Sequence, residues 1–324
     1  MILDPNGRSF QYLRLSITDV CNYRCSYCLP NGYVEEAPRR FLNIDEIRHL
    51  VTGFAELGLW KVRLTGGEPT VRKDFAQIAA TVSSIPGIRK VATTTNGYQL
   101  AKHAQLWRDA GISAINISID SLDPSNFHRI TGMDHLPQVL AGLDAAERVG
   151  FDAIKINTVL LKGLNDHELD RFLEFTRDRK LSLRFIELME TGDNQSYFQR
   201  HHLSGSTIID ALTARGWSPV TREIAAGPAQ EFAHPDHMGR IGIIAPYAKD
   251  FCQTCNRLRV TARGDLRLCL FGDGGHNLRH LLQSPDQKTA LQQTVVSLLQ
   301  QTTATHLLHF HKSGATKNLS ALGG

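Results

Sequence analysis

Six short apolar runs rich in β-branched residues alternate with amphipathic segments along the first two thirds of the chain. The predicted strands are residues 13–18, 61–65, 90–95, 114–120, 153–160 and 182–188. The predicted helices are residues 44–57, 75–85, 100–110, 139–149, 167–179 and 207–214, the first with Asn43 as N-cap and Glu46 three residues on. This alternation predicts right-handed β–α–β units around a parallel sheet, either doubly wound or curled into a barrel.

Several of these strands alternate strictly between polar and apolar residues, although a parallel strand covered on both faces should be apolar throughout. The polar members are Arg14, Ser16, Thr18, Arg63, Thr65, Asn116, Ser118, Asp120, Lys155 and Asn157. An antiparallel sheet with one wet face would alternate in the same way, but the helices between the strands argue against it. We therefore predict an α/β fold, an incomplete (β/α)6 TIM-type barrel whose polar strand faces line a lumen that holds a charged ligand.

Polar loops at residues 191–206 and 227–240 lead into a different region, which is short-stranded and contains cysteines. We place the boundary at Glu231. The predicted division is a barrel over residues 1–231 and a C-terminal, cluster-binding extension over residues 232–324.

The charge pattern excludes some functions. There are 36 Lys and Arg against 32 Asp and Glu, and the basic residues form no long run. With only 7% aromatic residues, the chain also offers little stacking surface, so we expect no nucleic-acid partner. No apolar run approaches the roughly 18 residues needed to span a bilayer, and the start has no apolar signal-peptide core. We expect a cytoplasmic protein with no membrane partner.

The first three cysteines, Cys21, Cys25 and Cys28, lie on one predicted loop after the first strand. Three soft thiolates at this spacing suit a [4Fe-4S] cluster whose fourth iron stays free for another ligand. A structural zinc site or plain buried thiols are the alternatives.

The loop resembles that of the radical S-adenosylmethionine (SAM) superfamily, because Tyr27 precedes the last cysteine and Gly66-Gly67-Glu68-Pro69 follows the next strand. Residues without side chains let the backbone approach a ligand closely. The resemblance implies that Gly67 lies at the methionine amino group of SAM, that Tyr27 lies beside the adenine, and that Ser118 and Met189 also contact SAM.

The second triplet is Cys252, Cys255 and Cys269, and its spacing alone fits zinc as well as a second [4Fe-4S] cluster. The stretches 255–262 and 266–272, with Leu13-Arg14-Leu15-Ser16 and the terminal Gly323-Gly324, closely resemble the GTP 3′,8-cyclase family of molybdenum cofactor biosynthesis. This resemblance favours a second cluster and implies that the paired glycines of the tail reach the active site. Residues 319–322 and the polar His201-His202 loop depart from the expected pattern and put the geometry of the tail in doubt.

A triphosphate carries about four negative charges and needs several preorganised cations, with Arg favoured for forked contacts. The resemblance implies that GTP contacts Arg14, Arg63, Thr94, Lys155, Arg257, Leu258 (through its backbone) and Arg259. Lys61 and Arg184 are weaker candidates, which we leave outside this set. His306-x2-His309-x-His311 lacks acidic partners, and we assign it no metal.

The family resemblance implies radical SAM-dependent conversion of GTP to (8S)-3′,8-cyclo-7,8-dihydro-GTP, a lyase reaction that needs no catalytic side chain. It also implies a flavodoxin-type reductant, a downstream cyclic pyranopterin monophosphate synthase and a homodimer. Two other interpretations stay open: a radical SAM enzyme that modifies RNA or a peptide, although peptide-modifying relatives usually carry more cysteines, and a zinc- or iron-sulfur-binding interaction module without enzymatic activity.

Overall fold

The computed structural model describes residues 2–35, 38–221, 227–248, 251–253, 255–270, 275–301 and 320. Its strands are β1 Ile2–Leu3, β2 Ser9–Phe10, β3 Tyr12–Ser16, β4 Lys61–Thr65, β5 Lys90–Thr95, β6 Ile112–Ser118, β7 Ala153–Leu160, β8 Ser182–Glu187, β9 Ser218–Pro219, β10 Gln230–Ala233, β11 Arg240–Ile244, β12 Arg257–Val260, β13 Asp265–Arg267 and β14 His276–Asn277. The terminal Gly323-Gly324 and the histidines at 306, 309 and 311 lie outside the described residues.

The α-helices are α1 Ile44–Glu56, α2 Phe75–Ser83, α3 Leu100–Asp109, α4 Pro124–Thr131, α5 Leu136–Val149, α6 Leu169–Thr176, α7 Gln195–His201, α8 Gly205–Ala214 and α9 Lys288–Gln300. Short 3-10 turns occupy Pro69–Val71, Arg279–Leu281 and Pro285–Gln287. The predicted start of α1 is confirmed, since Asn43 accepts from the Glu46 amide while Glu46 accepts from the Asn43 amide, both at 2.9 Å. This reciprocal capping satisfies two amides that the first helical turn leaves without partners.

One sheet contains all the strands except the β1–β2 hairpin, in the order β14-β13-β12-β3-β4-β5-β6-β7-β8-β11-β10-β9. The central run from β12 to β11 is parallel throughout, and the outer pairs at both ends are antiparallel. No pairing joins β14 to β9 within the described ranges. The sheet is therefore open, as expected for an incomplete barrel, and the antiparallel alternative for the central strands is wrong.

The two faces of the central strands separate by polarity as the alternation predicts. Leu13, Leu15, Ile117 and Ile156 are fully buried on the face that meets the helices. Arg63 is also buried, at 6% exposure, although it belongs to the polar face. Charged side chains are rarely buried unless they have partners. The burial of Arg63 therefore indicates that the polar face encloses a lumen and does not face bulk water.

Three helices went unpredicted, for different reasons. Helix α4 directly precedes α5 in the connection between β6 and β7, and Asp123 caps it by accepting from the Ser125 and Asn126 amides. Helix α7 interrupts the predicted loop at 191–206 and has no buried residue, so it leaves no apolar stripe in the sequence. Helix α9 packs on α1 through Leu291, in the region described from sequence only as short-stranded.

The predicted domain boundary, Glu231, lies within β10. Beyond it, β11 extends one flank of the central sheet by pairing with β8, and β12 extends the other flank by pairing with β3. The region after residue 231 thus contributes strands to both flanks, and the division into 1–231 and 232–324 stays a prediction.

Candidate active site

The first cysteine loop leaves the carboxyl end of β3 and is tied to the end of α4. The amide of Ser26 donates to the Ile130 carbonyl at 2.8 Å, and the amide of Arg24 donates to the Thr131 carbonyl at 3.2 Å. Cys21, Cys25 and Cys28 line one cavity of about 160 Å³, and none of them forms a disulfide. Three unbridged thiols around one cavity suit a [4Fe-4S] cluster, because thiolates are its protein ligands.

The same cavity is lined by all four residues predicted to contact SAM, and by Thr94 from the predicted GTP set. The SAM residues are Tyr27, Gly67, Ser118 and Met189. They come from the cysteine loop, the turn after β4, β6 and the segment after β8. Because the carboxyl ends of parallel strands meet at one mouth of a barrel, residues far apart in sequence lie together here.

Asp120, which lies just beyond β6, holds Tyr27. The Tyr27 hydroxyl donates to Asp120 Oδ2 at 2.9 Å, and the Val159 amide donates to Oδ1 at 2.9 Å. Burial raises the pKa of Asp120 to about 6. Asp120 also lines the cavity, so a carboxyl with a shifted pKa faces the position expected for SAM.

The paired glycines after β4 lie against the cysteine loop. A Cβ on Gly67 would come 2.4 Å from the Val20 carbonyl oxygen, and one on Gly66 would come 2.1 Å from the Thr18 carbonyl oxygen. The Gly67 amide donates to that Thr18 oxygen at 3.0 Å. Glycine is therefore required here by backbone packing beneath the cysteine loop. The expected reason was the close approach of a ligand.

Glu68 is the buried residue that joins this turn to the next strand. Its carboxylate accepts from the Thr70 amide and hydroxyl at 3.1 and 2.6 Å, from the Thr95 hydroxyl at 2.8 Å and from the Asn96 amide at 2.6 Å. Burial raises the pKa of Glu68 against these hydrogen bonds, which lower it. Glu68 thus orders the ends of β4 and β5, a role that the sequence analysis did not assign.

Further cavity residues were missed as individual contacts, although most of them lie at predicted strand ends. They are Asn96, Asp120, Asn157, Glu187 and Ser320. The available signal was the position at a strand's carboxyl end for Asn96, Asp120 and Glu187 and the polar strand face for Asn157, whereas Ser320 belongs to the tail.

A second group of predicted residues lies on the polar face deeper in the lumen. Arg259 of β12, Arg14 of β3 and Arg63 of β4 occupy matching positions on three adjacent parallel strands. Arg63 donates through Nη1 to the Thr94 hydroxyl at 3.1 Å and to the Thr93 carbonyl at 2.9 Å. Since Thr94 also lines the cysteine cavity, the arginine row and the cavity are contiguous.

Burial and repulsion between neighbouring positive charges lower the pKa values of several cations in the lumen. Burial and the neighbouring Arg184 lower the pKa of Lys155 to about 7. Burial lowers the pKa of Lys61 to about 8, and burial with the neighbouring Arg257 lowers that of Arg259 to about 10. Such shifts mean that the positive forms need an anionic partner.

Tyr12, whose ionised form is negative, also responds to the positive charges of the lumen. Its phenol accepts a hydrogen bond from Arg63 Nε, and Lys61 Nζ lies 4.6 Å from the centre of its ring. Burial would raise the pKa of Tyr12, but the charges of Arg63, Arg14 and Lys61 lower it to about 7. A phenol that ionises this easily reports a strongly positive surrounding.

Several buried guanidinium nitrogens have no hydrogen-bond partner among the residues that the structure describes. They are Nε of Arg184, Nε of Arg257 and Nη1 of Arg259. Buried donors are normally satisfied, so these nitrogens fit an oxygen-rich ligand. Leu258, between the two arginines of β12, is fully buried and lies opposite Leu13.

The second cysteine triplet lies next to these arginines. The Cys255 amide donates to the Cys252 carbonyl at 3.1 Å, and Arg257 Nη2 lies 3.7 Å from Cys255 Sγ. Burial opposes ionisation of Cys255, but the Arg257 charge and hydrogen bonds lower its pKa below the usual value. The charges of Cys252 and Cys269 also affect each other, which indicates that the triplet is close in space.

Two family profiles cover most of the chain. The Radical SAM superfamily profile matches residues 15–176, and the Molybdenum Cofactor Synthesis C profile matches residues 181–308. No helix within the described residues is both long and apolar enough to cross a membrane.

Solved structures share the fold at low sequence identity. Streptococcus suis SuiB bound to S-adenosylmethionine superposes with a TM-score of 0.62 at 13% identity, covering 90% of this chain and 68% of SuiB. AnSMEcpe with bound AdoMet gives a TM-score of 0.54 at 12% identity, covering 90% of this chain and 84% of that one. The predicted barrel class is thereby confirmed.

Curated relatives match over the full length. The GTP 3′,8-cyclase of Stenotrophomonas maltophilia strain R551-3 is 55% identical over 323 residues, covering 100% of this chain and 99% of the relative. The GTP 3′,8-cyclase of Klebsiella pneumoniae subsp. pneumoniae strain ATCC 700721 / MGH 78578 is 53% identical over 325 residues, covering the same shares. With more than half of its residues shared from end to end, this chain belongs to the GTP 3′,8-cyclase family of the radical SAM superfamily.

Proposed function

We propose that this chain is a radical SAM lyase that converts GTP to (8S)-3′,8-cyclo-7,8-dihydro-GTP, the first step of molybdenum cofactor biosynthesis. The observation that carries the proposal is the position of Thr94, which lines the cysteine cavity and accepts from Arg63 of the cationic row. One residue thus joins the end of the barrel that suits SAM to the end that suits a polyanion.

At the SAM end, Cys21, Cys25 and Cys28 would hold a [4Fe-4S] cluster. The cluster and SAM together supply a radical that removes hydrogen from the substrate. Tyr27, Gly67, Ser118 and Met189 would contact SAM, with Asp120 fixing Tyr27. Glu68 holds the turn that carries Gly67, so the SAM position is set before the ligand arrives.

At the other end, Arg14, Arg63, Thr94, Lys155, Arg257, the Leu258 backbone and Arg259 would hold GTP. Several cations match the charge of a triphosphate, and arginine pairs with phosphate through two parallel hydrogen bonds. The protein holds ribose C3′ toward the radical source and keeps water away. Hydrogen-atom removal from C3′ and bond formation to guanine C8 require no side-chain base.

Cys252, Cys255 and Cys269 would hold a second [4Fe-4S] cluster. The neighbouring Arg257 supports thiolate ligation at this triplet, because its charge favours ionised Cys255. Anaerobically purified protein should contain iron at both triplets, and Cys252→Ser with Cys255→Ser should halve the iron content. Zinc in place of half the iron would contradict the second cluster.

The proposal includes partners and a location. A flavodoxin-type protein would deliver electrons, a cyclic pyranopterin monophosphate synthase would take the product, and the enzyme would act as a homodimer in the cytoplasm. None of the six cysteines forms a disulfide, as is usual where the environment keeps thiols reduced.

A single-turnover assay with GTP deuterated at C3′ tests the reaction. Iron-reconstituted protein, dithionite, SAM and labelled GTP are combined anaerobically, and the nucleosides are analysed by mass spectrometry. Deuterium in 5′-deoxyadenosine is the expected result. Cleavage of SAM without deuterium transfer would contradict GTP as substrate, and no cleavage by protein with intact clusters would contradict radical chemistry altogether.

A further inference from the structure

Three residues on adjacent strands form a row at the β8 side of the lumen. Arg184 of β8 lies opposite Gly242 of β11, and Gly242 lies opposite Glu231 of β10. In the other direction, Arg184 lies opposite Asn157 of β7, which lines the SAM cavity. The row therefore runs from the cysteine cavity outward to β10, the second strand from this edge of the sheet.

Arg184 and Glu231 meet across the middle strand because residue 242 has no side chain. Arg184 Nη2 donates to Glu231 Oε1 at 3.1 Å. A Cβ on Gly242 would come 3.1 Å from Arg184 Cγ and 3.2 Å from the Ala229 Cβ. Such contacts are tighter than ordinary van der Waals packing, so a side chain at residue 242 would displace the Arg184 side chain.

The pair is unlike its surroundings in charge. Lys61, Arg63, Lys155 and Arg259 form no ion pair with a carboxylate within the described part of the chain, although the charge of Glu231 also acts on Lys155. Arg184 is only 7% exposed, and it pairs with Glu231. Glu231 also lies 3.6 Å from the exposed Arg240. The carboxylate therefore offsets positive charge at the β8 side of the lumen, most directly that of Arg184.

Pairing with Glu231 changes what Arg184 can contribute to nucleotide binding. A guanidinium already paired with a carboxylate adds little net attraction for phosphate, but it remains a rigid, directed hydrogen-bond donor. Arg184 Nε is buried without a partner among the described residues, so that donor is available for a neutral acceptor. The cations that lack a carboxylate partner are the ones suited to the phosphates.

We propose that Glu231 is a positioning residue for the nucleotide. It holds the Arg184 guanidinium across Gly242 and cancels its charge, so that Arg184 orients neutral sugar or base atoms while the other lumen cations bind the phosphates. The inference rests on the proposed function and assigns a role to a residue that does not itself touch the reacting atoms.

The test is Glu231→Gln, which keeps the shape and removes the charge. Two measurements should move in opposite directions. GTP binding to the protein without SAM, followed by calorimetry, should tighten by about threefold at low salt because the lumen gains net positive charge. Product formed per 5′-deoxyadenosine released should fall by about tenfold or more, because a nucleotide held in the wrong orientation lets the radical react elsewhere.

Two further variants connect the effect to Arg184. In an Arg184→Gln background, Glu231→Gln should cause no additional loss in the product ratio, since a residue acting through Arg184 has nothing left to position. Glu174→Gln, which removes a carboxylate of α6 from an exposed ion pair with Arg177, is the matched control and should leave both measurements unchanged. Thermal unfolding of each variant checks that it is folded.

The results distinguish the role of Glu231 from the proposed activity of the enzyme. Weaker GTP binding together with a lower product ratio would mean a structural role and would overturn the positioning proposal, as would additive effects of the two substitutions. Unchanged values in Glu231→Gln would overturn it as well. Failure of the unsubstituted enzyme to transfer deuterium from GTP would instead count against the proposed function itself.

Discussion

At the residue scale, the lumen shows how burial and like charge change ordinary side chains. Lys61 and Tyr12 both have pKa values near neutrality, for opposite reasons. Burial disfavours the charged ammonium of Lys61, while the surrounding cations favour the ionised phenol of Tyr12. Both shifts remove positive charge from the lumen as the pH rises, and both should reverse when a polyanion binds.

GTP affinity should therefore weaken as the pH rises from 7.5 to 9. Lysine is charged below its pKa, and Lys61 passes through its value of about 8 in this range. The terminal phosphate, with a pKa near 6, stays almost fully ionised there, and the partial loss of the guanine N1 proton near pH 9 affects the unsubstituted protein and Lys61→Arg alike. Losing the Lys61 charge should weaken binding by roughly tenfold, as expected for one charge-assisted hydrogen bond, in addition to the loss of the charge remaining on Lys155, whose pKa is about 7.

Calorimetric titrations of GTP across this range measure the effect, with Lys61→Arg as the matched variant. Arginine stays charged throughout the range, so Lys61→Arg should show a clearly flatter dependence. An equal slope in both proteins would mean that Lys61 does not contribute.

At the element scale, the turn after β4 is the connection on which the SAM cavity depends. Its glycines fit beneath the cysteine loop, and its Glu68 holds the end of β5 through the Asn96 amide. This one turn thus fixes two neighbouring loops. Among the helices, α4 also contacts the cysteine loop through the Ile130 and Thr131 carbonyls, whereas α1 follows its own signal in the cap at Asn43.

Gly67→Ala should disrupt this turn. The added methyl group would lie 2.4 Å from the Val20 carbonyl oxygen, and relieving such an overlap costs about 1–3 kcal/mol. We expect a lower unfolding temperature and at least about tenfold weaker SAM binding, since the displaced turn carries a cavity wall.

Gly163→Ala is the control for this prediction. A Cβ at residue 163 meets nothing within 4 Å, although its φ of 74° disfavours alanine. It should therefore lower stability modestly and leave SAM binding unchanged. Normal SAM affinity in Gly67→Ala would show that the turn can shift without affecting the cavity.

At the scale of the whole molecule, the C-terminal third adds strands to both flanks of the central sheet. Strand β12 pairs with β3 and β11 pairs with β8, so both edges of the six predicted strands are covered by segments that lie after residue 231. Strand β12 also brings Arg259 beside Arg14. The cationic lumen therefore needs both parts of the chain.

A fragment of residues 1–231 should consequently fail to form a stable monomer. It would leave β3 and β8 as edge strands with unpaired backbone groups and an exposed apolar face, which favour aggregation. Analytical ultracentrifugation of the fragment beside the full chain measures this, and we expect higher oligomers or precipitate from the fragment alone. A monomeric fragment with cooperative unfolding would contradict the expectation.

Local periodicity was enough to predict the six central strands, the helices α1, α2, α3, α5, α6 and α8, and the polar and apolar strand faces, and the cysteine spacings are read from the sequence directly. The same periodicity placed Arg14 and Arg63 on the lumen face. The tertiary structure decided which side chains meet: Glu68 with Asn96 is 28 residues apart, and Arg184 with Glu231 is 47 residues apart. Such pairs depend on strand register and on the absence of a side chain at Gly242, and local periodicity encodes neither.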